Sequence, residues 1–153
     1  MSSASHTEII INKASAAEVR PLRAEILRPG QPPEALVYPG DEDAGTLHLT
    51  ATDEGLIVGI VSTMADGYPN SPMLGDWRIR GMAVRPEVRN RGTGSRMLAS
   101  CEEHVRRQGG QRLWCNARVG ARTLYERVGM TVEGAIFEIP GIGQHYLMCK
   151  ALH

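Results

Sequence analysis

The chain switches between two hydrophobic rhythms, and the switches divide it into elements. Ile9-Ile10-Ile11, inside Thr7 to Lys13, is a β-rich run and predicts a first strand. Ser15-Ala16-Ala17-Glu18 follows, with a hydroxyl at the cap position and a carboxylate three residues on, the pattern of a capping box. The helix it starts is predicted to run to about Leu27. Pro21 lies inside it, removes one backbone donor and should break or kink it. RPGQPPE (28–34) and YPGDEDAG (38–45) then make a long irregular section, which in a compact domain is often a functional loop. From Thr46 to Thr52, Leu47, Leu49 and Ala51 alternate with His48 and Thr50, the period of a half-buried strand. Asp53-Glu54-Gly55 is a turn, and Leu56 to Ala65 completes a hairpin.

A second irregular stretch, 65–75, precedes the strand-like run Trp77 to Val84. Past a charged loop the period changes. Met97, Leu98, Cys101 and Val105 share one face of a helix that begins near Gly94 and reaches about Gln108, where Gly109-Gly110 stops it. Leu113 to Ala117 predicts a strand, and Ala121 to Val128 a short helix closed by Gly129. Two last strands turn at Pro140-Gly141-Ile142-Gly143. Hairpins, then strand–helix alternation, then a hairpin predict a mixed α/β (α+β) sheet flanked by helices.

The most informative segment is Arg89-Asn90-Arg91-Gly92-Thr93-Gly94, between strand and helix. Glycines let backbone N–H groups approach an anion closely, and the first N–H groups of a helix have no internal partner. Two common nucleotide motifs fail here. A P-loop needs a Lys, and none lies between Lys13 and Lys150. The dinucleotide fingerprint needs a third Gly where Met97 stands.

What remains, Arg-x-x-Gly-x-Gly after an apolar strand and Pro86, resembles the acyl-CoA pyrophosphate loop of the GNAT acetyltransferase superfamily. LWCNARVGARTLYERVGM (113–130) resembles that superfamily's second signature, and FEIPGIGQHYLMCKAL (137–152) the final hairpin of one small bacterial branch. The likeness spans roughly 56–152. It implies one domain over 1–153, built on a mostly antiparallel twisted sheet of about six to seven strands with about four helices.

The likeness also implies acetyl-CoA as co-substrate. Backbone N–H groups of Arg91, Gly92, Thr93, Gly94 and Ser95 would hold its pyrophosphate, with Arg89 and Asn90 in the same loop. Main-chain groups of Met82, Ala83 and Val84 would pair with its pantetheine arm, and Asn116 would also contact it. Tyr125 would be the general acid toward the leaving thiol. Some members place a Glu base on the strand before the glycine loop. Aligning on that loop puts Arg78 there, so the base stays open among Glu138, His145, His48 and a water chain. A base matters because an alkylamine is neutral in only about one molecule in a few thousand at pH 7. An acyl-Cys route through Cys115 lacks an adjacent His, so direct attack in a ternary complex is expected.

Composition then narrows the classes. A chain of 153 residues suits a single domain. No apolar run approaches the roughly 20 residues of a membrane helix. MSSASHTEIIINK lacks a basic region followed by an apolar core, so no secretory signal is expected. Three dispersed cysteines (Cys101, Cys115, Cys149) suit a reducing cytosol, and no metal-ligand spacing occurs, so a cytoplasmic location and no metal are expected.

The zero net charge hides an asymmetry: from Arg78 to Arg127 twelve Arg face four Glu, a net +8 that the remainder balances. Arg85, Arg89, Arg91 and Arg96 are placed to attract a polyanion such as CoA, whereas Arg106, Arg107 and Arg112 read as solvated helix faces. A nucleic-acid partner is not expected, because few aromatics are available for stacking. The likeness implies acetyl transfer to a primary amine of a small molecule, protein or peptide. A non-catalytic acyl-CoA-binding or sensing module of the same fold is the alternative, with a nucleic-acid-binding protein using the Arg cluster a third reading, and Tyr125 argues for the enzyme. The run Asp41-Glu42-Asp43 would favour a cationic acceptor amine. An edge strand would permit a homodimer.

Overall fold

The computed structural model describes residues 8–152. Met1 to Thr7 and His153 lie outside it, so the expected start of the first strand at Thr7 does too. Seven strands form one sheet: β1 (Ile10–Ala14), β2 (Leu47–Asp53), β3 (Leu56–Ala65), β4 (Asp76–Val84), β5 (Arg112–Arg118), β6 (Thr131–Ile139) and β7 (Gly143–Ala151). Their order is β1-β2-β3-β4-β5-β7-β6, and every pairing is antiparallel except β4 with β5. There are three α-helices, α1 (Ala16–Leu22), α2 (Thr93–Arg107) and α3 (Arg122–Arg127), against the four expected. Among the described residues no helix is long and apolar enough to cross a membrane.

Local chemistry accounts for these elements. Ser15 caps α1 through the expected box: Ser15 Oγ accepts from Glu18 N–H and Glu18 Oε1 accepts from Ser15 N–H. Near Pro21 the helix changes character, α1 closing at Leu22. From Arg23 to Leu27 the chain continues as a wider π turn, and Arg28 N–H reaches back five residues to the Arg23 carbonyl at 3.1 Å. The missing donor of Pro21 is absorbed by a change of pitch. Along α2, Met97, Leu98, Cys101 and Val105 are the buried stripe. They pack on the larger core, which includes Trp77, Ile79, Leu113, Cys115, Tyr125 and Met148. On the opposite sheet face α1 buries Val19 and Leu22 against Ile60 and Ala83.

Two irregularities shape the centre of the sheet. The β3–β4 register shifts between Ile60 and Ser62, with Ile60 opposite Ala83 but Ser62 opposite Arg80. The extra residue on β4 falls at Gly81, whose φ of +66° suits glycine. Before this bulge Trp77 and Ile79 face α2 and Arg78 and Arg80 face α1. After it Met82 and Val84 face α2, so the odd–even order is reversed. The second irregularity is that β4 and β5 pair only through Asp76–Arg78 with Arg112–Trp114. Beyond that they part, and a cleft opens in the middle of the sheet.

Asp76 secures the closed end of this cleft. Its carboxylate accepts from Arg112 Nε (2.8 Å) and Nη2 (3.0 Å) and from the N–H groups of Tyr68 (2.9 Å) and Met73 (2.7 Å). The 65–75 loop is thereby tied to β5. Burial alone would raise the Asp76 pKa, but the Arg112 side chain and the two backbone donors outweigh it and hold it at about 2, below the ordinary 3.8. A depressed carboxylate pKa contributes stability that is complete above pH 3.8 and is lost as pH falls through about 2. Asp76→Asn should therefore lower stability at pH 7 by about 2 kcal/mol in urea unfolding. The gap from wild type should close in acid across that window.

Candidate functional site

The parting of β4 and β5 creates a cavity of about 710 Å³ that runs from the N-terminus of α2 to the α1 face of the sheet. At the α2 end the chain is shaped as an anion cradle. Pro86–Val88 forms a 3₁₀ turn, Asn90 and Gly92 take positive φ (66° and 77°), and α2 begins at Thr93 with no side chain capping it. Successive residues of this kind turn backbone N–H groups inward. One further observation suits a polyanion: Thr93 Oγ1 is buried without a hydrogen-bond partner. Gly94 packs against apolar side chains, where a Cβ would lie 2.9 Å from Met82 Cε and 3.2 Å from Leu124 Cδ1. Arg89, Asn90, Gly92, Thr93, Gly94 and Ser95 line the cavity, as do Met82, Ala83, Val84, Asn116 and Tyr125. Arg91 is exposed and does not line it.

The basic residues near the loop divide by partner. Arg85 pairs with Glu25 and donates to the Ile57 carbonyl at 3.0 Å, and Arg96 donates to the Ile9 carbonyl at 3.1 Å, so both are tied to the scaffold. Arg106 and Arg107 pair with Glu102 and Glu103 on the face of α2. Arg112, expected on a solvated face, is instead the partner of Asp76.

Tyr125 reaches the middle of the cavity from α3. The residue is only 5% exposed. Burial, with Cys115 and Cys101 nearby, raises its pKa well above 10, so the hydroxyl remains a proton donor across the physiological range. Burial likewise pushes the thiols of Cys101 and Cys115 up to about 12. A thiol held in its neutral form is a poor nucleophile.

The α1 side of the cavity was not anticipated from sequence. Arg78 and Arg80 point there because the bulge lies beyond them. On β5, Arg78 is registered with Trp114, which places Asn116 and Arg118 on the same face by alternation. The β5–β7 register sets Arg118 opposite His145. Arg28 arrives from the end of the π turn, and Arg118 donates to the Leu27 carbonyl at 2.8 Å. The lining of the whole cavity contains Arg28, Arg78, Arg80, Arg89, Arg118 and Arg127 and, among the described residues, not one Asp or Glu. Arg80 has no ion pair among the described residues. Burial, then Arg78, lowers its pKa, as expected for a guanidinium beside like charge.

The candidate bases separate. His145 lines the cavity, stacks on Phe137 with ring centroids 5.9 Å apart, and has Nδ1 2.8 Å from the Gly143 carbonyl. A carbonyl only accepts, so Nδ1 carries the proton and Nε2 keeps a free lone pair. Glu138 is exposed, alternates away from Phe137 and His145, and does not line the cavity. His48 is buried elsewhere, 2.6 Å from Ser62 Oγ and 2.9 Å from the Asp41 carbonyl.

The acidic run is also redirected. Asp41 is buried and binds the fully buried Arg23 through two bonds of 2.7 and 2.9 Å, so it offers nothing to a cationic acceptor. Arg78 and Arg80 at strand spacing between apolar residues mark one face of β4 as polar, and it is the fold that turns this face into a cavity wall. Among the described residues no group of three His, Cys, Asp or Glu side chains could hold a metal ion.

The model of the acetyltransferase (GNAT) family matches residues 16–130. The uncharacterized N-acetyltransferase YitI of Bacillus subtilis (strain 168) is 32% identical over 142 residues, covering 93% of this chain and 95% of that protein. In fold, the chain resembles a chain of the NatC complex bound to Gag peptide and CoA, with a TM-score of 0.77 and 16% identity over 96% of this chain and 100% of that one. It also resembles YncA of Salmonella typhimurium, solved with its cofactor acetyl-CoA, with a TM-score of 0.72 and 14% identity over 95% and 94% of the two chains.

Proposed function

The chain belongs to the GNAT acetyltransferase family, and from that premise we propose that it transfers acetyl from acetyl-CoA to the primary amine of a small molecule that also carries an acidic group. The observation that carries the acceptor class is the α1-side chamber, walled by Arg28, Arg78, Arg80 and Arg118 with no carboxylate. A cationic amine alone would be repelled there. A carboxylate, phosphonate or phosphate would meet Arg28 and Arg80, which have no ion pair among the described residues, beside Arg78, which is paired with Asp66; a guanidinium's fixed fork matches such oxygens. The thioester supplies an activated acetyl group. The cradle at Gly92 to Ser95 would hold the CoA pyrophosphate, and the edge of β4 at Met82 to Val84 its pantetheine arm.

His145 Nε2 takes the proton of the attacking amine, which needs a base because the amine reaches the site mostly protonated. Tyr125 donates toward the departing sulfur. Transfer is direct: no acetyl group rests on Cys115, whose thiol stays protonated. Cys115→Ala should keep kcat within about threefold of wild type. A labelled acetyl group trapped on wild-type protein and absent from that variant would overturn direct transfer.

CoA release measured across amino acids, aminophosphonates, polyamines and short peptides tests the acceptor class, with the mass of each product read out. Turnover of acidic amines with one acetyl group gained on nitrogen is the expected result. Turnover confined to polyamines or neutral amines would refute the acceptor class.

A further inference from the structure

We infer that Tyr38 is a positioning residue that sets acceptor preference by holding Arg80 in the chamber, an inference that rests on the acidic-acceptor reading above. The Arg80 guanidinium carbon lies 4.1 Å from the centre of the Tyr38 ring, and that of Arg23 lies 3.9 Å from it. The two cations differ in kind. Arg23 is fully buried and fixed by Asp41, by the Leu36 carbonyl at 2.9 Å and by Ser62 Oγ at 3.0 Å. Arg80 lines the cavity without an ion pair among the described residues; Arg78 and Arg23 act on it as like charges, and Asp66, which pairs with Arg78, attracts it less than either. The aromatic face of Tyr38 is the attractive surface in direct contact with its guanidinium.

Tyr38 is itself held. Its N–H donates to Asp41 Oδ2 at 3.0 Å, so the Arg23–Asp41 pair anchors the 28–45 loop behind the ring. Gly81 makes the close approach possible, since a Cβ there would lie 3.3 Å from Tyr38 Cε2. The long irregular loop thus reaches the acceptor chamber through the Tyr38 ring as well as through Arg28.

The test compares an acidic amine that the enzyme turns over with its uncharged amide, at saturating acetyl-CoA. Wild type, Tyr38→Phe, Tyr38→Leu and Arg80→Leu are measured, with Tyr38→Gln in place of Tyr38→Leu if the latter does not fold. The ring is the attractive element, so Tyr38→Phe should stay within about twofold of wild type. Tyr38→Leu should raise KM for the acid about tenfold, with kcat and the amide's KM little changed. An unchanged KM for the acid in Tyr38→Leu, beside a raised one in Arg80→Leu, overturns the role of Tyr38 alone. So does a loss in Tyr38→Phe equal to that in Tyr38→Leu, or a fall in kcat for both substrates. If Arg80→Leu does not distinguish acid from amide, the acidic-acceptor reading fails and takes this inference with it.

Discussion

Replacing Tyr125 with Phe is expected to lower kcat by about 10²–10⁴-fold, the range for removing a positioned proton donor. CoA affinity should change by no more than about threefold, because the ring that packs beneath α3 is kept. The fold should survive for the same reason. Burial raises the Tyr125 pKa well above 10, so the hydroxyl is protonated at neutral pH. Its contribution is then independent of pH up to that range. An alkaline fall in rate below pH 10 must come from another group and should persist unchanged in the Phe variant. Stopped-flow or steady-state thiol release over pH 6 to 10 checks both statements. Unchanged turnover at saturating substrates would remove Tyr125 from the mechanism.

The second large effect belongs to Arg80. Arg80→Leu removes a half-buried guanidinium that faces the chamber without a counterion. A hydrogen bond to a charged group is worth about 1.5–3 kcal/mol, so kcat/KM for an acidic amine should fall about 10- to 100-fold. CoA binding should be unaffected, since the cradle lies at the other end of the cavity. Stability should hold or rise slightly, because a cation crowded by Arg78 and Arg23 has gone. Arg80→Lys should recover only part of the loss, as an ammonium lacks the planar fork. Isothermal titration with CoA, beside initial rates with the acceptor varied, separates these expectations.

The glycine-loop end of the cavity was legible in sequence because its determinants are local. A strand, a glycine loop and a helix start occupy consecutive residues, and their chemistry follows from backbone groups alone. β3 runs over Leu56–Ala65 as its apolar run predicts, and α2 starts at Thr93. Pro21 was read correctly as a disturbance, but its outcome, a change of pitch rather than a break, depends on packing against the sheet.

The acceptor half depends on pairings that no local pattern carries. Arg118 and His145 lie 27 positions apart in sequence and meet through the β5–β7 register. Arg78 and Arg80 face α1 because the bulge sits at Gly81, after them. Asp41 was expected to favour a cationic acceptor, yet it forms a buried pair with Arg23 that anchors a loop. The same numerical excess of arginine thus has two origins. Arg85 and Arg96 hold the scaffold, while Arg80 lines the cavity without an ion pair among the described residues.

The central claim is that an arginine-walled chamber selects an amine bearing an acidic group. Its most direct test is the ratio of kcat/KM for an acidic amine to that for its uncharged amide, with acetyl-CoA saturating and ionic strength fixed. A ratio of about 30 or more in favour of the acid is predicted, with most of the difference in KM and lost in Arg80→Leu. A ratio near one, or a preference for the amide, would contradict it.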